Sequence, residues 1–285
     1  MKIIVSFSGG KDSQACLIKA IEQYGSDKVE AVFCDTGWEH PNTYEHIKYV
    51  INVLGIKLTT LKGKYDFVSL AEKKKRFPST KARFCTEELK IKPMIDWVLE
   101  QTDSLIIIQG IRSGESHARA AMESECMYFK NYFQPLANGK TYSYRKKEII
   151  EWCKKYDASI LRPIKDWSAQ AVIDCILAAG QKPNPLYYKG FSRVGCFPCI
   201  MCRHSEILNI VKSDHKMLEK LKWAENKVGY SFFPPKYIPE YACSNGIFPT
   251  VSDVEKYVTD KTATLDMFEP EEGYSCMSMF HGLCE

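Results

Sequence analysis

Short apolar runs alternate with segments of helical periodicity through the first third of the chain, and that alternation predicts a parallel α/β sheet. Ile3 to Phe7 is an apolar run carrying β-branched residues, followed by a glycine-rich turn and a helical pattern from Gln14 to Tyr24. Val29 to Cys34 predicts a second strand. Thr43 to Leu54 predicts a second helix, with Tyr44, Ile47, Val50, Ile51 and Leu54 on one stripe, and Lys57 to Leu61 a third strand. Glu87 to Gln101 reads as helix, and Ser104 to Gln109 is apolar enough for a strand covered on both faces. Strands alternating with helices imply right-handed crossovers and helices flanking a mainly parallel sheet. Ligands of such sheets bind beyond the carboxyl ends of the strands, near a topological switch point.

The later chain is more helical. Arg145 to Tyr156 and Ser168 to Ala179 predict helices, the second with Ser168 as a serine N-cap. Residues 182–197 are rich in Pro and Gly, a loop that needs something to hold it. One helix is expected from Ser205 to Val228, then a Pro- and Tyr-rich stretch from Phe232 to Tyr241, then a short helix from Ser252 to Val258. Trp223, Tyr230, Phe232, Phe233 and Tyr237 read as core rather than as base-stacking surface. The division expected is a nucleotide-binding domain over 1–203 and a helical C-terminal appendage over 204–285.

Composition adds little until it becomes local. With 45% hydrophobic and 26% charged residues, the 285-residue chain is of the folded kind. No apolar run reaches the ~18–20 residues a membrane span needs, and the N-terminus turns polar too early for a secretory signal. A cytoplasmic protein with no membrane partner is expected. The net charge of +4 does not by itself indicate a nucleic-acid binder. Between Lys62 and Arg83, however, lie Lys64, Lys73, Lys74, Lys75, Arg76 and Lys81, against only Asp66 and Glu72. This is either a solvated helix face or a phosphate-facing patch. Twelve cysteines without a signal do not read as a disulfide framework. Cys16, Cys153 and Cys175 fall in apolar-periodic helical segments and read as core.

The strand–turn–helix at the start of the chain carries Ser8-Gly9-Gly10-Lys11-Asp12-Ser13. Two glycines let the backbone approach an anion, and the amides of the turn and helix N-terminus then point at phosphate oxygens. Lys11 adds a positive charge, and the Ser8 and Ser13 hydroxyls can donate to the same oxygens. It is not a Walker A loop, which needs four residues between its first glycine and the Gly-Lys pair. It resembles the PP-loop of the ATP pyrophosphatases, which cleave ATP between the α and β phosphates and adenylate a substrate.

Further motifs narrow the resemblance. Asp35-Thr36-Gly37-Trp38-Glu39-His40-Pro41 follows the second strand, and Gly110-Ile111-Arg112-Ser113-Gly114-Glu115-Ser116 with Arg119 follows the strand at 104–109. Later come Arg162-Pro163-Ile164, Asp166-Trp167-Ser168, Asn184-Pro185-Leu186-Tyr187 and Gly190-Phe191-Ser192-Arg193-Val194-Gly195-Cys196. In this order, over residues 1 to 202, they are similar to the phosphoadenylylsulfate (PAPS) reductase-like family of PP-loop proteins. That resemblance implies an adenine-nucleotide ligand. It makes Lys11, Asp12 and Arg112 the candidate catalytic residues. Ser8, Gly9, Gly10, Lys11, Asp12, Ser13, Asp35, Gly110, Arg112 and Arg119 become the candidate nucleotide-binding ones. Guanidinium forks suit phosphate or sulfate, though Arg112 can equally pair with Glu115, and Asp35 can simply cap the next turn. Glu39-His40 suggests acid–base chemistry less than a structural role. Reductases of the family tend to lose the loop lysine and carry Glu-Cys-Gly near the C-terminus. This chain keeps Lys11 and ends Phe280-His281-Gly282-Leu283-Cys284-Glu285. Both departures favour ATP over a ready-made adenylylsulfate.

Cys196-Phe197-Pro198-Cys199-Ile200-Met201-Cys202 places three thiols at i, i+3 and i+6, as the tight runs of ferredoxins do for a [4Fe–4S] cluster. The fourth ligand expected is Cys85, by resemblance to iron–sulfur members of the family, with Cys126, Cys243, Cys276, Cys284 and His204 as alternatives. Zinc remains a competing occupant, although zinc ribbons use two separated knuckles, and unliganded core or redox thiols are the third reading. A metal would also order the irregular loop from Lys182 onward. The reading expected is an enzyme using ATP with Mg²⁺ to adenylate an acceptor, into which sulfur then enters near the cluster. The acceptor would be a nucleic-acid group or a small oxyanion, with a sulfur-donor protein and a homo-oligomer as further partners. A PAPS reductase, or a nucleotide-responsive iron–sulfur sensor without turnover, stands as the alternative.

Overall fold

The computed structural model describes residues 1–130, 132–134 and 141–260; Cys276, Cys284 and the tail at Phe280 to Glu285 lie outside them. The first elements follow the sequence pattern: β1 (Lys2–Ser6), α1 (Lys11–Tyr24), β2 (Val29–Asp35), α2 (Pro41–Leu54) and β3 (Lys57–Lys62). Next is α3 (Phe67–Lys74), inside the basic stretch. A continuous helical run follows, made of α4 (Phe84–Thr86), a π-helical turn at Glu87–Ile91 and α5 (Lys92–Leu99). Then come β4 (Leu105–Gln109), a 3-10 turn at Ser113–Glu115, α6 (His117–Ala120), β5 (Glu125–Met127), α7 (Lys146–Cys153), β6 (Ala158–Leu161), α8 (Ala169–Ala178) and α9 (Pro185–Tyr188). The last helices are α10 (His204–Ser213), α11 (His215–Val228) and α12 (Val251–Asp260).

The six strands lie in the order β3-β2-β1-β4-β6-β5. All neighbouring pairs are parallel except β5–β6, which is antiparallel at the edge. The α/β class with a mainly parallel sheet is therefore as expected. Two-residue alternation sends Ile3, Val5 and Phe7 into one core with α1, α2 and α8, and Ile4 into the opposite core with α5 and α7. The chain runs from β1 outward to β3, then returns to β4 on the other side of β1. The switch point thus falls between β1 and β4, the place where open α/β sheets take their ligands.

Several expectations need correction. β5 and β6 were not foreseen; each is at most four residues long and is defined by pairing rather than pattern. The single helix expected from Ser205 to Val228 is two, broken at Asp214, whose carboxylate accepts from the Met217 amide at 3.1 Å and caps α11. Trp223 and Tyr230 are not core: they are 52% and 41% exposed. The buried stripe of α11 runs through Met217, Leu218, Leu221 and Ala224, and Trp223 falls outside it. Phe232 and Phe233 are buried as expected. Cys153 is exposed, because α7 buries Ile149 and Trp152 instead. Ser168 caps α8 as read from the sequence, accepting from the Ala171 amide at 3.0 Å. Among the described residues no helix is long and apolar enough to cross a membrane.

One core cluster joins α3 and Trp38 to the cysteine loop and to α10, α11 and α12. His40 adds a polar link across the same junction. Its Nδ1 accepts from the Asn42 amide at 3.0 Å, capping α2, and its Nε2 lies 2.6 Å from the Asp214 carboxylate. A histidine beside a proline is thus structural here, as the sequence suggested.

Candidate active site

The turn between β1 and α1 closes on itself through its two serines. The Ser8 and Ser13 hydroxyls are 3.2 Å apart, Ser13 donates to the Gly10 carbonyl at 3.0 Å, and the Ser8 amide donates to Ser13 Oγ at 3.3 Å. Gly9 has φ +81°, and a Cβ there would come within 2.8 Å of Thr43 Cγ2, so only glycine meets both demands. Gly110, at the carboxyl end of β4, presses against the start of α1. A Cβ on it would stand 2.7 Å from the Ser13 nitrogen and 2.8 Å from the Asp12 carbonyl carbon. The two strand ends flanking the switch point thus meet backbone to backbone.

The turn-rich loop from Lys182 holds this cradle from behind. Asn184 donates to the Gly9 carbonyl at 3.1 Å and to Thr43 Oγ1 at 3.3 Å, while its own carbonyl caps α9. The Lys11 amide, placed where a helix N-terminus offers a donor to phosphate, donates to the Tyr187 hydroxyl at 3.0 Å, and the Lys11 ammonium sits 4.9 Å above the Tyr187 ring. The expectation that this loop needs holding is met by protein contacts: Thr43 also donates to the Val194 carbonyl at 3.1 Å, and the Phe197 amide to the Trp38 carbonyl at 2.8 Å. The roles of Asn184 and Tyr187 as struts of the phosphate loop were not legible in the sequence, because the motif lies far along the chain from the turn it supports.

Beneath the cradle, Gln14 donates to Gln181 and to the Lys182 carbonyl, at 2.9 and 3.1 Å, and faces His46 Nε2 at 3.1 Å. Burial pushes the His46 imidazole down to about 4. Below pH ~6.5 the unfolded chain therefore takes up a proton that the folded one refuses. The stability this group contributes is present above that pH and is lost as pH falls toward 4. Between pH 7 and pH 5 the loss expected is about 2 kcal/mol. Urea midpoints at the two pH values measure it, and the difference should shrink in His46→Gln.

The candidate cations are held by acids. Arg112 Nε lies 2.5 Å from the buried Asp12 Oδ1, and Lys11 Nζ 3.3 Å from Asp12 Oδ2. Arg119, 2% exposed, pairs with Glu115. Glu115 also accepts from the Arg112 amide at 3.0 Å, so the local Arg112–Glu115 association read from the sequence is present beside the longer-range pair. Asp35 lies at the end of β2. Burial alone would raise its carboxyl, but hydrogen bonds from Tyr44 (2.7 Å) and the Gly37 amide (3.0 Å), with Lys62 at 3.3 Å, hold it below the usual carboxylate range. It is thus an anion that also braces its own turn.

A solvent-open cleft of about 420 Å³ lies between these strand ends, lined by Ser6, Ser8, Ser13, Cys34, Glu39, Lys90, Gly110 and Gly195. Ser6 Oγ, buried on its wall, has no hydrogen-bond partner among the described residues, which suits a polar ligand. Glu39, 3% exposed, accepts from Thr36 Oγ1 (2.7 Å), the Trp38 amide (3.2 Å) and the Tyr44 hydroxyl (3.0 Å). Burial and the charges of Glu39 and Asp35 push the Tyr44 hydroxyl well above the usual phenol range, so it remains a donor. Glu39 and Lys90 were not foreseen as cleft residues. Lys90 sits in the π-helical turn, which interrupts the helix period by which a side chain's face is read.

A second pocket, also open to solvent, adjoins the first through Lys90 and Gly195. Cys85, Cys196 and Cys199 line it together with Arg83 and Arg193, while Cys202 lines a neighbouring one with Cys196 and Cys199. The four cysteines expected as ligands, from segments over a hundred residues apart, are therefore gathered in one neighbourhood. Glu39 forms a β-bridge with Cys196, and the Trp38 indole donates to the Pro198 carbonyl at 3.0 Å, so the second-strand turn and the cysteine loop are one unit. Burial raises the Cys202 thiol well above its usual range; metal ligation would reverse that. Among the described residues no three His, Cys, Asp or Glu side chains converge tightly enough for a single metal ion. Cys85, Cys196 and Cys199 thus share one wall with the cations Arg83, Lys90 and Arg193, while Cys202 lies on the neighbouring one.

Comparison with known proteins bears on the frame of this site. The chain is 31% identical to a 37.8 kDa protein of Escherichia phage 186, over 99% of this chain and 96% of that one. Two Methanocaldococcus jannaschii proteins match at 32% and 28% identity over 76% and 80% of the chain, which spans only 40% and 48% of their lengths. Among solved structures, a PAPS reductase from Candida auris matches at 16% identity and TM-score 0.47, over 70% of this chain and 83% of that one. A Candida glabrata FMN adenylyltransferase matches at 17% identity and TM-score 0.42, over 68% and 55%. Both structural likenesses are too distant to bear on the reaction. The model of the phosphoadenosine phosphosulfate reductase domain matches residues 2–202, the whole span from β1 to the last cysteine of the cluster motif, and the chain belongs to that family.

Proposed function

We propose that this protein is a PP-loop enzyme that takes ATP and adenylates an acceptor, releasing pyrophosphate, with an iron–sulfur cluster beside the activated centre. The observation that carries the reading is the complete Ser8–Ser13 cradle, lysine included, closed against Gly110 at the β1–β4 switch point. An acceptor oxygen attacks the α-phosphorus and the α–β bridging bond breaks. The leaving pyrophosphate takes the bonding electrons against Lys11 and the amides of the loop. Arg112 and Arg119 would steady the remaining phosphate, with Asp12 setting the position of Arg112. Asp35 would meet the ribose or adenine, and Mg²⁺ enters on the phosphates of its nucleotide. Residues 1–203 would serve as the nucleotide-binding unit, with the helices α10 to α12 as its appendage.

Cys85, Cys196, Cys199 and Cys202 would hold a [4Fe–4S] cluster, which supplies a site for sulfur or for orienting substrate. Lys90, on the wall shared by the two pockets, would stand between the cluster and the nucleotide. Membership of the family favours one second reading, reduction of PAPS to sulfite and adenosine 3′,5′-bisphosphate at the expense of two thiols.

One experiment separates them. Anaerobically purified protein is given α-labelled ATP with candidate acceptors, or PAPS with a dithiol, and the products are resolved. AMP-linked product with pyrophosphate supports adenylation, and sulfite from PAPS replaces it with reduction. Neither product from a brown protein of about four irons per chain leaves a nucleotide-responsive sensor. A colourless protein without iron removes the cluster.

A further inference from the structure

The geometry points to a single-stranded nucleic acid docking on the basic face that runs from β3 through α3 to α4, at the mouth of the cysteine cavity. This deepens the adenylation reading by assigning its acceptor a chemical class, and rests on that reading only for what happens after docking. Lys64, Lys73, Lys74, Lys75, Arg76 and Lys81 are all exposed. Both acids of the segment are already spent. Asp66 caps α3, accepting from the Ser69 amide and hydroxyl at 2.8 and 2.9 Å, and Glu72 pairs with Lys227 of α11 at 3.7 Å. Six exposed cations against these two carboxylates leave the segment net positive, with Glu87 and Glu88 beyond α4 tied to Lys92, and that balance suits a polyanion.

Two aromatic rings are set among these charges. Lys64 and Lys73 stand 5.8 and 4.5 Å from the Tyr65 ring centroid, and Lys74 and Arg76 stand 5.9 and 6.0 Å from that of Phe84. Both rings are half-buried and so held in place. The Glu72–Lys227 pair continues the face onto α11, where the exposed Trp223 ring lies 5.3 Å from Lys227. Cations that track a backbone, interleaved with fixed aromatic platforms, are what an unpaired strand requires; the bases of a duplex are already stacked and offer no free faces. A membrane surface fits less well, because the apolar side of α3 (Phe67, Val68, Leu70, Ala71) is buried in the core and has nothing left to insert. Phe84 lies between Arg83 and Cys85, both of which line the cysteine pocket, so the basic face borders that pocket.

The test is fluorescence anisotropy of a labelled mixed-sequence DNA 20-mer with the full chain, titrated at several salt concentrations. The triple variant Lys73→Glu, Lys74→Glu, Arg76→Glu is expected to bind at least about tenfold more weakly, and its log–log salt slope to fall by about 2. The neutral Gln triple should show the same change in slope. Tyr65→Ala should weaken binding roughly tenfold while leaving the slope unchanged. Lys75 is left alone because its φ of +53° makes any substitution ambiguous. An unchanged affinity in both triple variants, equal binding of poly-glutamate, or tighter binding of the duplex 20-mer would each overturn the proposal. Melting with and without ATP and Mg²⁺ keeps the two readings apart. If ATP shifts neither parent nor variants while the strand still binds the parent alone, the nucleotide reading fails and this surface stands.

Discussion

Lys11→Ala should lower pyrophosphate release from ATP by roughly 10²–10³-fold, the usual loss when one preorganised donor to a developing charge is removed. The Lys11 ammonium is 14% exposed and fixed from two sides, by Asp12 Oδ2 at 3.3 Å and by the Tyr187 ring at 4.9 Å. It therefore need not be ordered again when charge builds on the leaving group, and the effect should fall on kcat more than on KM. Isotope-labelled pyrophosphate exchange into ATP measures the step itself. A variant that keeps the parent's exchange rate would show that the lysine has no part in it. Arginine should rescue poorly, since its longer, planar guanidinium spreads the charge that the compact ammonium sets at one point, 3.3 Å from Asp12 Oδ2.

Gly110→Ala should be strongly destabilising. The added carbon would lie 2.7 Å from the Ser13 nitrogen and 2.8 Å from the Asp12 carbonyl carbon, both backbone atoms at the first turn of α1. Neither can swing aside as a side chain would, so β4 and α1 must separate. Overpacking of this kind costs about 3 kcal/mol, a fall in melting temperature of about 6–10 °C. Nucleotide affinity should drop with it, because the amides that face the phosphates belong to the same turn. Gly114→Ala is the internal control: it lies in the same loop and its Cβ would meet nothing within 4 Å. Calorimetric melting of the two variants, with and without ATP, checks both statements. Equal melting points would mean that the close approach of β4 to α1 is not structural.

The strands of the nucleotide-binding half were legible because each carries its signal locally. An apolar run of β-branched residues between turn residues says strand wherever it occurs, and Ser-Gly-Gly-Lys-Asp-Ser after the first one says anion site. The elements missed were those without such a signal. β5 and β6 are short and become strands only by pairing, β6 along β4 and β5 along β6 at the edge, and Asp214 breaks its helix because His40 and the Met217 amide both claim its carboxylate. Lys90 is a further case. It falls among apolar neighbours with no motif of its own to mark it, and the π-helical turn sets it on the wall of two cavities.

The sequence by itself determined the sheet class, the family, the glycine turn at Ser8–Ser13 and the cysteine spacing, since all of these depend on residues near one another in the chain. The tertiary structure decided how those parts meet. It set Gly110 against α1, propped the loop on Asn184 and Tyr187, and carried Cys85 to the wall shared with Cys196 and Cys199. It also turned Arg119 inward onto Glu115 and left Trp223 in solvent. The reason is physical: periodicity and turn chemistry act within a few residues, whereas burial and ion pairing are settled by whichever distant segments the packed core brings into contact.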